Sequence, residues 1–308
     1  MAKILGVGIA TLDIINTVER FPGEDEEIRA IAQTRTRGGN VTNTLVVLSQ
    51  LGHQVTWAGT LADDENSHLI RDDLAHYSVD ISPVQIIQHG LTPTSYVTLN
   101  QQNGSRTIVH YRDLDEYSFE SFKHINLTDF DWLHFEGRNV EQTRLMLDYA
   151  RQKAPEIPRS VEIEKPRPGI GELCGLAELL LYSRSYAQGE TGAGESSDSS
   201  DNGSNPMAFL ENRFHQVPAA DHVCTWGEVG AYGISRAGSK THVPADKPAQ
   251  IIDTLGAGDT FMAGLIHGKL AGMNFTDTLN AACTIAGQKC GQQGFDGLTH
   301  RMLQTRLT

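Results

Sequence analysis

Among 308 residues, the string Asp253-Thr254-Leu255-Gly256-Ala257-Gly258-Asp259-Thr260-Phe261 concentrates the most chemistry. Its glycines let backbone approach a ligand with no Cβ in the way. A helix starting here would present amides that lack internal acceptors, and its dipole would favour an anion. A phosphoryl group gaining charge during transfer fits such a place. Asp259 would then sit beside the anion, ready to take a proton from an attacking hydroxyl. Alone, the same string also describes an ordinary helix start with an acid in its first turn.

Competing motifs are absent from the sequence. No GxxxxGK[ST] occurs, which excludes a Walker-type nucleotide site. Gly6-Val7-Gly8 lacks the third glycine of a dinucleotide fingerprint and reads as a strand end. The histidines are scattered without metal-ligand spacing, so no protein metal site is expected. Cys174, Cys224, Cys283 and Cys290 form no CxxC pair, and the last two fall ~10 Å apart along one helix, too far to bridge. Reduced thiols suit a cytoplasmic protein. With 25 basic against 38 acidic side chains and a formal charge of −13, no basic face is left for nucleic acid. No apolar run approaches the ~18 residues of a membrane span. The opening run Ile4–Ile9 is too short for a signal segment and reads as a strand.

Positioning that site requires a frame. Apolar residues make up 39% of the chain, enough for one large α/β domain or two smaller ones. Short apolar runs at Ile4–Ile9, Val55–Ala58, Trp132–Phe135, Ser160–Ile163, Leu179–Tyr182 and His222–Thr225 read as strands. Between them, Val41–Leu51, closed by Gly52, and Glu141–Lys153, ended by Pro155, read as helices. That alternation predicts a parallel sheet covered on both faces. Ile251–Leu255 reads as the end of a strand feeding Gly256. A helix then runs to about Ala271, and Asn274 caps another from Phe275 to Cys290. Two segments break the rhythm. Residues 14–37 carry no helical period, and residues 93–111 read as a hairpin turning at Asn103-Gly104. Two β insertions in an α/β frame predict a small projecting sheet, able to act as a lid. Gly189–Pro206, rich in Gly, Ser and acids, reads as a flexible surface loop.

Together these strings resemble the ribokinase-like, phosphofructokinase-B type family of carbohydrate kinases, most closely its ketohexokinase branch. Gly8–Asp13 matches the family's first-strand motif, Arg37-Gly38-Gly39-Asn40 with Asn43 its first glycine signature, and Asp253–Asp259 its second. Gly104–Ile108, Glu136–Asn139, Val161–Arg167 and Cys290–Gly297 resemble the branch. The resemblance implies ATP with Mg²⁺, and K⁺ as a further cation. It makes Asp259 the base and Gly256, Ala257 and Gly258 the anion hole. Asp13, Gly39, Asn40 and Asn43 would hold sugar hydroxyls, for which a carboxylate and carboxamides supply paired donors and acceptors. Asn40 would also cap its helix. Arg106 on the hairpin would reach the ATP phosphates, the loop Trp226-Gly227-Glu228-Val229-Gly230 would contact the nucleotide, and Cys290 would pack near the adenine. Two subunits would clasp lids as a homodimer, each lending Asp25 to the partner's sugar site. The chain departs from the family at Tyr182-Ser183-Arg184-Ser185-Tyr186, which lacks the Asn-x-x-Glu that helps many members organise Mg²⁺. Coordination through water is therefore expected.

The fold expected is a three-layer α/β/α domain with a mainly parallel central sheet and a small β-sheet lid. Residues 1–13, 38–92 and 112–308 would form the main domain, and 14–37 and 93–111 the lid. The reaction expected is transfer of the γ-phosphoryl group of ATP to a sugar hydroxyl, with the 1-hydroxyl of a ketohexose such as fructose as the leading acceptor. Ribose, another sugar or a nucleoside would suit the same fold. A silent sugar sensor would keep Asp13, Asn40 and Asn43 but lose the base, and Asp259 argues against it. A purely structural dimer would bind neither ATP nor sugar.

Overall fold

The computed structural model describes residues 1–190 and 205–299. The strands in chain order are β1 (Lys3–Val7), β2 (Thr11–Val18), β3 (Ala32–Gly38), β4 (Gln54–Ala58), β5 (Thr60–Ala62), β6 (Gln85–Ile87) and β7 (Thr94–Asn100). They continue as β8 (Arg106–Tyr111), β9 (Trp132–Glu136), β10 (Arg159–Ile163), β11 (Leu179–Tyr182), β12 (Asp221–Thr225), β13 (Ala231–Ile234) and β14 (Lys240–Val243). The helices are α1 (Asn40–Gln50), α2 (Glu65–His76), α3 (Phe119–Phe122), α4 (Val140–Lys153), α5 (Arg184–Glu190), α6 (Pro206–Gln216), α7 (Ala257–Leu270) and α8 (Phe275–Cys290).

Eight strands form the main sheet in the order β14-β13-β12-β11-β10-β9-β1-β4. From β4 to β12 neighbours run parallel, while β13 and β14 close one edge antiparallel. Successive strand residues point to opposite faces. Ile4 and Leu179 join a core with α1, α7 and α8, whereas Leu5 and Leu180 join a second core with α4 and α6. Because helices cover both faces, these strands are buried on both sides and largely apolar, with polar exceptions such as His134, Glu136, Ser160 and Glu162 themselves buried. The three-layer expectation holds.

The inserted segments form a separate four-stranded sheet, β3-β2-β7-β8. Its hairpin β7–β8 turns at Gly104, whose φ of +69° suits glycine. The β2 strand already starts at Thr11, opposite Gly38 of β3, so Asp13 is carried by this sheet. Strands β5 and β6 make a third, two-stranded sheet.

Two expectations are corrected. Residues 251–254 form no strand; the edge beside β13 is already taken by β14, leaving the segment no sheet neighbour. Ile251 and Ile252 are exposed, and the Ile252 and Asp253 amides donate instead to the Cys290 carbonyl at the end of α8. Gly189 and Glu190, expected in a loop, end α5, and Asn205 caps α6 through its side chain with Pro206 in the first turn. Residues 191–204 of that expected loop lie outside the described residues. The α8 boundaries hold: the Asn274 side chain accepts from the Asp277 amide at 2.9 Å. The four cysteines are free thiols. Among the described residues, no helix is long and apolar enough to cross a membrane.

Candidate active site

Two helix starts meet above the sheet. Gly256 adopts φ +77° and caps α7. A Cβ there would fall 2.4 Å from Phe295 Cζ, so only glycine fits the turn. The Thr260 amide returns to the Gly256 carbonyl, while the Gly258 and Asp259 amides have no protein acceptor among the described residues. A Cβ built on Gly258 would meet nothing within 4 Å, so side chains leave that face of the helix start open. Gly39, at φ +112°, caps α1, and a Cβ there would lie 2.2 Å from the Ile9 carbonyl.

A relay joins the two starts. Asn43 Nδ2 donates to Asp259 Oδ2 at 2.7 Å, and Arg37 Nη1 donates to Asn43 Oδ1 at 2.6 Å. Arg37 is itself fixed by Asp73 and by Thr42 Oγ1. These bonds settle the Asn43 amide orientation and aim the Asp259 carboxylate. Asp259 is buried, and burial pushes its carboxyl up to about 7; the Asn43 bond opposes this, while the nearby charges of Glu164 and Glu136 add to it. A carboxyl poised there suits a general base at neutral pH.

More acids crowd the C-terminal strand ends. Glu136 ends β9 and pairs in register with Glu162 of β10. Glu136 Oε2 accepts from the Ile9 amide at 3.0 Å, and burial raises its carboxyl to about 7. Glu162 is pushed well up, first by burial and then by Asp259 and Glu136, and its Oε2 is buried with no partner. Asn40 Nδ2 bridges Glu162 Oε1 and Glu164 Oε2 at 3.2 and 3.3 Å. Asn40 is therefore the first residue of α1 with its side chain on these acids. The cap expected of it belongs to Gly39. The β1/β9 junction, where strand order reverses, is where open α/β sheets place their ligands.

The other expected residues are more dispersed. Asp13 is buried, receives the Thr11 hydroxyl at 2.9 Å, and is raised by burial against opposing bonds from Ser95 and Thr11. Asp13 Oδ2 fills the space where a Gly38 Cβ would stand, 2.2 Å away, which ties the lid acid to the glycine signature. Asp25 lies exposed in the β2–β3 connection, and Arg106 is exposed at the start of β8. Trp226 is buried under the Arg184 guanidinium, with Glu228 and Val229 exposed beside it. A Cβ on Gly227 would meet nothing within 4 Å, whereas one on Gly230 would strike the Val243 carbonyl. Cys290 is half-buried at the end of α8, and burial raises its thiol. Sequence reasoning missed Glu136, Glu162 and Glu164 as parts of this assembly. The acids had one available signal, their place at the ends of parallel strands. A cavity of ≈880 Å³ lies near Lys3, His53, Gln54 and Asp129 at the opposite strand ends and contains none of the site residues. Its size does not outweigh the chemistry gathered at the C-terminal ends.

Comparisons with known proteins bear on this arrangement. The sequence model of the pfkB family carbohydrate kinases matches residues 1–299. Ketohexokinase of Mus musculus is 38% identical over 305 residues, covering 96% of this chain and 98% of that protein. Among solved structures, ribokinase from Giardia lamblia superposes with a TM-score of 0.82 at 15% identity, covering 99% of both chains. Arabidopsis thaliana ribokinase complexed with ribose and ATP superposes with a TM-score of 0.78 at 18% identity, covering 99% of this chain and 98% of that one. These two likenesses establish the ribokinase-like fold.

Proposed function

This chain belongs to the pfkB family of carbohydrate kinases, and from that premise we propose that it transfers the γ-phosphoryl group of ATP to a ketohexose, with the 1-hydroxyl of fructose as the leading acceptor. One observation carries the reading: a buried, Asn43-held Asp259 carboxylate stands beside two helix-start amides that have no protein acceptor among the described residues, with open space over Gly258. The 38% identity to a ketohexokinase supports the choice of sugar.

In this reading the sugar lies between Asp13 on the lid and Asn40 and Asn43 on α1, over Gly39. Asp259 takes the proton of the attacking hydroxyl. The new O–P bond forms as the bond from the γ-phosphorus to the β,γ-bridging oxygen breaks, and ADP leaves with that electron pair. The Gly258 and Asp259 amides hold charge on the moving group, with Gly256 and Ala257 shaping the turn. Arg106, Trp226–Gly230 and Cys290 serve the nucleotide. Bound Mg²⁺ would screen the phosphate charge. Glu162 and Glu164 fit its water shell, since Glu162 Oε2 is buried without a partner. Among the described residues, no group of three His, Cys, Asp or Glu side chains is placed to hold a metal alone. Exposed Tyr96, Ile108, Val109 and Tyr111 on β7 and β8 support a lid-to-lid homodimer that brings in the partner's Asp25. A role for K⁺ and a cytoplasmic setting belong to the same proposal.

The test is ADP formation from ATP and Mg²⁺ with fructose, ribose, other sugars and nucleosides, with potassium or choline salts, and NMR of the product to locate the phosphate. Turnover best with fructose and a 1-phosphate product is expected. Turnover best with ribose or a nucleoside removes the ketohexose assignment, and sugar binding without turnover on any acceptor removes the kinase.

A further inference from the structure

We propose that Lys289 is a positioning residue whose ammonium acts as a tethered cation at the foot of the phosphate-binding turn; this rests on reading Gly256–Asp259 as an anion hole. Lys289 is fully buried, near the end of α8. A buried ammonium is retained only where acceptors replace its water. Its Nζ donates to the Asp253 carbonyl at 3.1 Å and to Asp253 Oδ2 at 2.6 Å. Its third side faces the Phe295 ring, 5.3 Å from the centroid.

Each of these partners leads to the active turn. Asp253 Oδ1 accepts from the Leu255 amide at 2.9 Å, one residue before Gly256. Phe295 closes over Gly256, where it leaves no room for a Cβ. The Arg37 guanidinium lies 5.9 Å from the same ring, so Phe295 is in contact range of two cations. Arg37 holds Asn43, which holds Asp259. Lys289 thus grips both the backbone and the carboxylate of the residue that begins the turn, and through Phe295 it abuts the relay that aims the base. An ion pair serving bulk stability alone needs no backbone carbonyl at this point. Without the ammonium, Asp253 is free to rotate away from the Leu255 amide, and the turn that presents the Gly258 and Asp259 amides loses its brace.

The test measures ADP affinity by titration calorimetry on the full chain, with thermal melting as the folding control. Lys289→Ala is expected to weaken ADP binding by about tenfold or more, the scale of a misplaced contact group. Ammonium chloride, but not choline chloride at equal ionic strength, is expected to recover most of it. If Lys289→Ala fails to fold, the neutral pair Asp253→Asn with Lys289→Met leaves no lone buried charge. That pair is expected to fold, bind ADP weakly and ignore ammonium. Unaltered affinity in either folded variant, or a Lys289→Ala defect indifferent to ammonium, overturns the role. Absent ADP binding by the unmodified chain overturns the anion-hole reading as well, whereas equal binding by parent and variant overturns Lys289 alone.

Discussion

Replacing Asp259 by Asn separates a catalytic base from a structural acid, because the two roles move different observables. The substitution keeps the size of the side chain and can still meet Asn43 after an amide flip, but it cannot take a proton. Turnover is expected to fall by about 10²–10⁴-fold, the usual contribution of a general base. Stability should change in the opposite sense at high pH. Burial lifts the Asp259 carboxyl from 3.8 to about 7, so the folded chain holds this proton more tightly than the unfolded chain does. The stabilisation from that proton is complete below the unfolded value and is lost as pH rises through about 7. Between pH 5 and pH 8 the parent forfeits the equivalent of about two pH units, or about 3 kcal/mol, which the Asn variant does not. Glu136 and Glu162 titrate in both proteins and largely cancel. The assay is thermal or urea unfolding of parent and variant at pH 5 and pH 8, beside kcat and KM at pH 8. The variant should gain on the parent as pH rises. A stability difference independent of pH, or turnover within threefold of the parent, would refute the reasoning.

Three further outcomes follow from the same geometry. In the parent, kcat should fall as pH drops below about 7 and level off above it, because the raised Asp259 must lose its proton to act; a profile flat from pH 5.5 to 8.5 would contradict this. Gly258→Ala should leave the fold intact or stabilise it by about 0.5–1 kcal/mol, since nothing lies within 4 Å of the added methyl. The same methyl would stand where phosphate is expected, so ADP affinity should drop by about tenfold or more, read by calorimetry. Val109→Asp, at an exposed apolar position of β8, should convert the expected dimer to monomer in sedimentation velocity, and an unchanged sedimentation coefficient would remove the lid as the interface.

The sequence was most readable where local patterns and tertiary demand coincide. The strand runs at 55–58, 132–135 and 179–182 lie inside or coincide with observed strands because both sheet faces are covered and nearly every residue is apolar, Thr56 and His134 excepted. Asn274 and Phe275 marked α8 through capping chemistry alone. Ile251-Ile252 misled because an apolar pair looks the same whether it lies in a sheet or on the surface, and only the position of β14 decides between them. Asn40 misled for a related reason: Asn suits a cap, but acids at and just past the end of β10, more than 120 positions away in sequence, claim its amide. Asp259 was legible from its glycine neighbours. The Asn43–Arg37 relay that aims it, and the acids that raise it, come from distant elements and carry no local period. Lys289 was invisible because one lysine in an amphipathic helix reads as solvated.

Two of the four chain crossings between the sheets lie against each other. Only Gly8, Ile9 and Ala10 separate β1 from β2, and β3 runs into α1 through Gly39, whose Cα faces the Ile9 carbonyl. The smaller sheet is therefore anchored on this side beside the reacting groups, and on the other by the crossings that flank β7 and β8, where the Leu91 amide donates to Asp113 Oδ1 at 2.9 Å. A ligand that drew Asp13 toward Asn43 would pull on β2 and β3 at their inner ends, and that pull would be passed along the strands toward the β2–β3 connection and the hairpin paired with β2. The tips, where Asp25 and Arg106 sit, are where the proposed dimer would bring occupancy of one centre within reach of the other subunit.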